Sequence, residues 1–141
     1  MNIERIKEKM SPERGLEATL GMEFFSTPDD ETCMGQLHVD RRTTQPFGFL
    51  SGGATMALAE TLAGVGSATL CPDAVCVGIN VSGNHISTAK EGETVTATAR
   101  IIHQGAKTHV WSVEVRNEDG RLVSTVNVTN MVLAAQQRQQ P

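Results

Sequence analysis

The sequence lacks a long apolar run. Its longest low-charge stretch, Phe47–Leu58, contains three glycines and is followed closely by Glu60, so it is too short for the roughly 20 apolar residues that a membrane span requires. Residues 1–10 alternate acidic and basic side chains with apolar ones, which favours an amphipathic helix over a signal peptide with an apolar centre. We therefore predict a protein with no membrane partner and a cytoplasmic location.

Positive charge is also scarce. Lysine and arginine number 12 against 16 aspartates and glutamates, which gives a net charge of -4, and the basic residues form no run. A nucleic-acid partner, which needs a basic surface, is therefore not expected. The three cysteines are odd in number and lack the spacing of a zinc site. We expect neither a disulfide framework nor a metal, and we predict no bound cofactor.

Nothing in the composition marks a second domain. A chain of 141 residues falls within the usual size of one domain with one core. We predict a single domain over residues 1–141, with a helical segment at 1–19. Residues 134–141 are expected to form a frayed tail, because their glutamine-rich sequence has nothing to bury.

One long helix and six strands are expected. Residues 51–70 are rich in alanine and leucine and contain no proline, which predicts a helix. Apolar residues fall on nearly every side of this helix, so it should be buried at the centre of the fold. Turn-forming residues bound six strand-like runs. The runs are Met22–Ser26, Thr32–Val39, Val75–His85, Thr94–His103, Thr108–Arg116 and Leu122–Leu133.

These elements predict an α+β architecture. The segregated strands form an antiparallel sheet, and a single long helix cannot cover both of its faces. The sheet is therefore expected to curl around the helix. A face that stays uncovered favours a second subunit, so we expect an oligomer.

The most unusual residue of the predicted helix is Glu60. A carboxylate in an apolar helix is costly to bury unless it is paired or faces a cavity, and no lysine or arginine lies three or four residues away to pair with it. Burial would raise its pKa toward the range of a general base or nucleophile. A glutamate that faces solvent, or that is hydrogen-bonded for structural reasons, explains the residue equally well.

Ser51, Gly52 and Gly53 come at the start of this helix. Ser51 suits the N-cap position. Paired glycines let a ligand approach the backbone, and the free amides and positive dipole of a helix N-terminus suit a developing oxyanion. Because Gly-Gly pairs are common, a plain N-cap with flexible glycines is the alternative. Gly52 precedes Glu60 by about two helical turns, so a substrate or a partner subunit must bridge them.

Longer segments carry a family likeness. The run QPFGFLSGGA at 45–54, followed by ALAET at 57–61, resembles hotdog-fold thioesterases, and VGIN at 77–80, GAKTHVW at 105–111 and DGRL at 119–122 fall where that family has similar segments. The likeness is closest to the PaaI-like branch that acts on 4-hydroxybenzoyl-CoA, 1,4-dihydroxy-2-naphthoyl-CoA and misacylated aryl carrier proteins of siderophore synthesis. It implies the hotdog fold, a six-stranded antiparallel sheet wrapped around one long central helix.

The resemblance implies a hydrolase of acyl-CoA or acyl-carrier thioesters. Glu60 would attack the thioester carbonyl or activate water, the backbone amide of Gly52 would hold the thioester oxygen, and Gln45 would help to position the reacting groups. A CoA thioester has a good leaving group, so this set needs no Ser-His-Asp triad. The resemblance alone favours aromatic acyl groups. The only CoA expected is that of the substrate, and we expect a homotetramer built as a dimer of dimers.

The resemblance also assigns binding residues. The substrate-binding set is Ser51, Gly53, Phe47, Thr61, Gly64 and His85, and the CoA-binding set is Lys90, Gly105 and Lys107. A histidine that is hydrogen-bonded for structural reasons and lysines that are merely solvated are the alternatives for His85 and the two cations. We expect the other three histidines to be structural and Trp111 to lie in the core or at an interface.

Two positions depart from the family pattern. The family usually has His-Gly-Gly where this chain has Ser51, whose hydroxyl cannot titrate near neutral pH. Some members carry serine or threonine one turn after the glutamate, where this chain has Gly64, and Thr61 is the nearest substitute. The missing histidine keeps open a second hypothesis, a non-catalytic protein that binds or senses acyl-CoA. Hotdog dehydratases and hydratases are a weaker alternative, because they use a histidine in a motif that this loop lacks.

Overall fold

The computed structural model of the chain describes residues 1–134. Three helices and six strands lie within this part of the chain. They are α1 (Glu4–Lys7), α2 (Leu16–Leu20), β1 (Glu23–Phe25), β2 (Thr32–His38), α3 (Gly52–Leu70), β3 (Val75–His85), β4 (Thr94–Gln104), β5 (Thr108–Arg116) and β6 (Leu122–Leu133). Of the predicted tail, residues 135–141 lie outside the described residues.

The six strands form one antiparallel sheet in the order β1-β2-β4-β5-β6-β3. Helix α3 packs against β2, β3, β4, β5 and β6, and its apolar residues, such as Leu58 and Leu62, are fully buried with sheet residues such as Leu37 and Val113. The sheet therefore wraps around a central helix, which is the predicted hotdog arrangement. Within residues 1–134, no helix is long and apolar enough to cross a bilayer.

The N-terminal segment is less helical than expected. Helix α1 spans only Glu4–Lys7, whereas the charge alternation predicted a helix over residues 1–10. The difference arises at the first residues: the Met1 ammonium donates to the carbonyls of Thr27 and Thr32 at 3.1 and 2.7 Å, and Ile3 is fully buried in the core. These contacts hold residues 1–3 against the sheet, so the helix begins only after them.

A buried polar cluster ties α3 to the sheet through the Ser67 hydroxyl. Trp111 Nε1 and Asn130 Nδ2 each donate to Ser67 Oγ at 2.9 Å, and Oγ lies 2.9 Å from Nδ1 of His109. Because a hydroxyl accepts two bonds and donates one, Ser67 donates to His109. Burial lowers the pKa of His109, which favours the neutral ring that this bond requires. The structural interpretation of His109 and the core position of Trp111 are thus confirmed.

The close packing of α3 against Trp111 is expected to require glycine at position 66. A Cβ added at Gly66 would lie 2.4 Å from Cη2 of Trp111, so Gly66→Ala should lower the free energy of unfolding by about 1–3 kcal/mol through overpacking. Gly64→Ala is the matched control, since a Cβ there meets no described atom within 4 Å and gains about 1 kcal/mol of helix propensity. Urea unfolding followed by Trp111 fluorescence measures both, and equal stabilities would contradict the prediction.

Candidate active site

The N-terminus of α3 begins at Ser51 and Gly52, the residues that the sequence suggested for an oxyanion. Ser51 is the N-cap, with extended backbone angles of φ -66° and ψ 133°, and its side chain makes no capping bond. Its backbone is held by a bond from Ser51 N to the carbonyl of Thr43 at 2.7 Å. Gly52 is the first helical residue, so its amide has no partner within the helix and lies at the positive end of the helix dipole.

His85 lies directly against Gly52. Its Nε2 is 2.6 Å from the point where a Cβ at Gly52 would lie, so the contact depends on glycine at that position. Its other ring nitrogen, Nδ1, is 2.7 Å from Ser124 Oγ, a hydrogen bond that orients the ring. An imidazole nitrogen therefore faces the helix N-terminus from strand β3, although the chain has Ser51 at the position where the family has histidine.

Gln45, Gly52 and His85 line one cleft of about 220 Å³, together with Phe49, Leu50, Thr55, Ser87, Thr88, Ala89 and Val123. We call it the Gly52 cleft. Gln45 belongs to a tight loop, in which Gly48 N donates to the Gln45 carbonyl at 3.0 Å and Phe47 N donates to the Gln45 side-chain oxygen. Phe47 itself is 83% exposed and does not line this cleft, whereas Phe49 does.

Glu60 lies elsewhere, where α3 meets the edge strand β3. Its carboxylate rests on Gly78, where a Cβ would lie 2.8 Å from Glu60 Oε1. The side chain is exposed, so the single chain does not provide the burial considered from the sequence. The helix leaves this carboxylate uncovered because β3 is the last strand of the sheet.

A second cleft, of about 320 Å³, surrounds this carboxylate, and we call it the Glu60 cleft. Its other lining residues are Ile6, Met10, Glu17, Thr61, Gly64, Val65, Ala68, Cys76, Gly78 and Asn130. Thr61 and Gly64, which the resemblance assigned to substrate binding, both line this cleft. Sequence reasoning missed Met10, Glu17 and Asn130, which reach the cleft from elements distant in sequence and carry no motif.

Cys76 is the other candidate nucleophile in the Glu60 cleft. Burial, and after it the neighbouring Cys71, raises the pKa of the Cys76 thiol to about 11. Because the thiolate is the reactive form, Cys76 is almost entirely in its unreactive form near neutral pH. Cys76 is therefore a poor nucleophile, and the remaining ionisable groups that line this cleft are the carboxylates of Glu17 and Glu60.

Within residues 1–134, the two clefts share no lining residue. Gly52 and Glu60 are separated along α3 by about 12 Å, at 1.5 Å per residue. A thioester carbonyl that binds to the Gly52 amide is therefore out of reach of the same chain's carboxylate. The two candidate catalytic residues of one chain thus lie in two separate clefts.

The candidate CoA-binding residues lie at opposite ends of β3. Lys90 bridges to Phe49 beside the Gly52 cleft. Lys107 lies at the other end of the sheet, where its carbonyl accepts a bond from Val132 N at 2.8 Å, and Gly105 donates to the Thr108 carbonyl in the same turn at 2.9 Å. A single chain thus does not bring the two lysines together.

A central helix wrapped by a curled antiparallel sheet is the hotdog fold. Residues 47–124 match the model of the thioesterase superfamily, and the chain belongs to this family. The resemblance found in the sequence is confirmed, and the protein is a thioester hydrolase.

Known relatives agree with this assignment. A solved variant of a Pseudomonas aeruginosa thioesterase is 34% identical, with a TM-score of 0.84 and 94% of both chains covered. The 1,4-dihydroxy-2-naphthoyl-CoA hydrolase of Listeria monocytogenes is 37% identical over 110 residues, which are 77% of this chain and 88% of that protein. A solved thioesterase of Staphylococcus aureus is 36% identical, with a TM-score of 0.78, and covers 84% of this chain and 98% of its own.

The Staphylococcus aureus protein has been solved with a glutamine replaced by alanine and, separately, with a glutamate replaced by alanine. The separation of these two positions equals that of Gln45 and Glu60 in this chain. The pair that resemblance assigned to catalysis therefore has a counterpart at the same spacing in a relative.

Proposed function

We propose that this thioesterase hydrolyses acyl-CoA thioesters and favours aromatic acyl groups. The preference for aromatic acyl groups is supported by the likeness to the 1,4-dihydroxy-2-naphthoyl-CoA hydrolase of Listeria monocytogenes, which covers 77% of this chain. The substrate of that protein, by its name, is an aryl thioester. The apolar lining of the Glu60 cleft, with Ile6, Met10 and Val65, suits a flat apolar group.

In the proposed reaction the thioester oxygen binds at the N-terminus of α3. The Gly52 amide donates to it, and the helix dipole stabilises the negative charge that develops on it. Gln45, which lines the Gly52 cleft, orients the thioester. Glu60 acts on the carbonyl carbon, either by direct attack or by removing a proton from water, and the CoA thiolate leaves. Water and these groups complete the reaction, so it requires no metal or cofactor.

We propose that two copies build each site by pairing along β3. This strand has 11 residues, lies at an edge of the sheet and exposes Val77 and Ile79 at 39% and 52%. The opposite edge strand, β1, has only three residues. A long edge strand with exposed apolar side chains offers unpaired backbone groups to another strand, and a second copy satisfies them with twofold symmetry.

Antiparallel pairing along the whole of β3 would bring the two halves of the site together. It sets Val75 opposite His85 of the second copy, and Gly78 opposite Ser82 of the second copy. Glu60, which rests on Gly78, would then lie close to the second copy's Gly52 cleft. The predicted dimer of dimers stays a proposal, which the mass of the protein in solution tests.

The same pairing would gather the candidate CoA-binding residues. Lys107 lies beside the first residues of β3, because its carbonyl bonds to Val132 N and Val132 pairs with Cys76. Lys90 follows the last residues of β3. Antiparallel pairing places the first residues of one strand beside the last of the other, so Lys107 and Gly105 of one copy would approach Lys90 of the second. Two cations at one end of the site suit the phosphates of CoA.

The experiment is thiol release, followed with a thiol-reactive dye, from benzoyl-, naphthoyl-, hexanoyl- and decanoyl-CoA. The proposal expects turnover of all four and a higher kcat/KM for the aryl substrates. Ser51→His, which restores the family residue at the helix N-terminus, should raise the rate. Tight CoA binding without turnover would instead support an acyl-CoA sensor, and faster turnover of the alkyl substrates would overturn the aromatic preference.

A further inference from the structure

The side-chain oxygen of Asn130 has no hydrogen-bond partner within residues 1–134. Asn130 is 1% exposed, and its Nδ2 donates to the Ala63 carbonyl at 3.2 Å and to Ser67 Oγ at 2.9 Å. The Ala63 carbonyl only accepts, so it fixes the nitrogen on that side and leaves Oδ1 as the free atom. A buried acceptor without a donor costs stability, and such an atom in a native structure calls for a physical explanation.

The location of Asn130 supplies one. It lines the Glu60 cleft, and in the sheet it pairs with Gly78, the residue on which the Glu60 carboxylate rests. Adjacent strands lie about 4.8 Å apart, so Asn130 and Glu60 bound the same small space. Its bonds to Ala63 and Ser67 hold the amide at the level of α3 that lies one turn beyond Glu60.

One turn after Glu60, the residue of α3 that lines the Glu60 cleft has no side-chain hydroxyl. Gly64 occupies the position one turn after Glu60, and a Cβ there would meet no described atom within 4 Å. The cleft therefore has open space beside Gly64, one turn along the helix from the Glu60 carboxylate. Asn130 borders the same cleft from strand β6, and its buried side-chain oxygen is still without a donor.

We propose that Asn130 is a positioning residue for the hydrolytic water. One hydrogen of this water is donated to Asn130 Oδ1 and the other to the Glu60 carboxylate, so that an oxygen lone pair faces the thioester carbonyl. Glu60 takes the second proton as the oxygen bonds to the carbonyl carbon. The C–S bond then breaks, and the proton passes from Glu60 to the CoA thiolate. This inference rests on the proposed function and makes Glu60 a general base.

The test is a rescue experiment on benzoyl-CoA. Asn130→Leu and Asn130→Val should each lower kcat about tenfold or more, with KM within about twofold, because the lost bond acts after the substrate binds. Gly64→Ser should return a hydroxyl to the cleft and recover at least half of the lost rate, on a logarithmic scale, in either background. A residue with a merely structural role would not be rescued in this way. Trp111 fluorescence, which reports on the Ser67 cluster, selects the Asn130 variant that folds.

Two results would overturn the proposal. They are an unchanged kcat in the folded Asn130 variants and a loss that Gly64→Ser leaves in place. Failure of the proposed function is distinguishable, because the wild-type protein would then release no thiol from any substrate.

Discussion

Glu60→Gln is expected to lower kcat for benzoyl-CoA by about 10²–10⁴-fold, the contribution of a well-placed general base. Glutamine keeps the length and shape of the side chain but can neither take a proton from water nor attack a carbonyl. Since Glu60 is exposed, the substitution should leave the free energy of unfolding within about 0.5 kcal/mol of the wild type. Thiol release and urea unfolding provide the two measurements.

The combination of lost rate and kept stability is informative. A variant that unfolds loses activity whatever the role of the substituted residue. Glu60→Gln should instead stay folded and be slowed only in the chemical step. Glu17→Gln is the matched control, since Glu17 lines the same cleft but its carboxylate rests on Gly15, where a Cβ would lie 2.6 Å from Glu17 Oε1. Equal rates for Glu60→Gln and the wild type would remove Glu60 from the mechanism.

The second large effect is expected from Gly52→Pro, which deletes one backbone amide. Proline is favoured at the first position of a helix, and the extended angles of Ser51, φ -66° and ψ 133°, suit a residue that precedes proline. The helix should therefore persist without the donor. Loss of one oxyanion donor lowers kcat by about 10²–10³-fold, and thiol release measures it.

Gly52→Ala distinguishes the effect of losing the amide from the effect of filling the space beside Gly52. Alanine keeps the N–H but adds a Cβ that would lie 2.6 Å from His85 Nε2, a side chain that can move away. We expect a loss of less than about tenfold, because only a flexible neighbour must shift. If alanine costs as much as proline, the contact with His85 and not the amide sets the rate.

The two variants together test whether the site spans two copies. In a mixture of Glu60→Gln and Gly52→Pro chains, half of the pairs are mixed, and each mixed pair has one site free of both changes. Re-associated mixtures should therefore recover about a quarter of wild-type activity. Two variants confined to one chain's site would remain inactive in any mixture.

The strands were predictable because turn chemistry marks their ends. Predicted bounds for β3, β5 and β6 agree with the structure, and the turn before β6 contains Gly120 at a positive φ of 80°, as a glycine in a turn allows. Helix α3 was predictable from its long run without proline. The N-terminal segment was not, since the contacts of Met1 and Ile3 that shorten α1 lie far away in sequence.

The candidate site was predictable only where a motif ran along the chain. Gln45, Gly52 and Glu60 fall within one short stretch, and resemblance identified them together. Asn130 gives no such signal, because it is one polar residue in an alternating strand, and its place beside Glu60 follows from the pairing of β6 with β3. The spacing of Gly52 and Glu60 predicted that they lie two helical turns apart, but their separate clefts also depend on where β3 ends the sheet.

The position of Glu60 above the edge strand links substrate concentration to assembly. In the proposed dimer a thioester touches the helix N-terminus of one copy and the carboxylate of the other, so it binds the pair far better than either copy alone. Any ligand with that preference shifts the monomer–dimer equilibrium toward the dimer by mass action. At protein concentrations near the dissociation constant of the dimer, the substrate would recruit its own enzyme, and the rate would rise more steeply than in proportion to substrate.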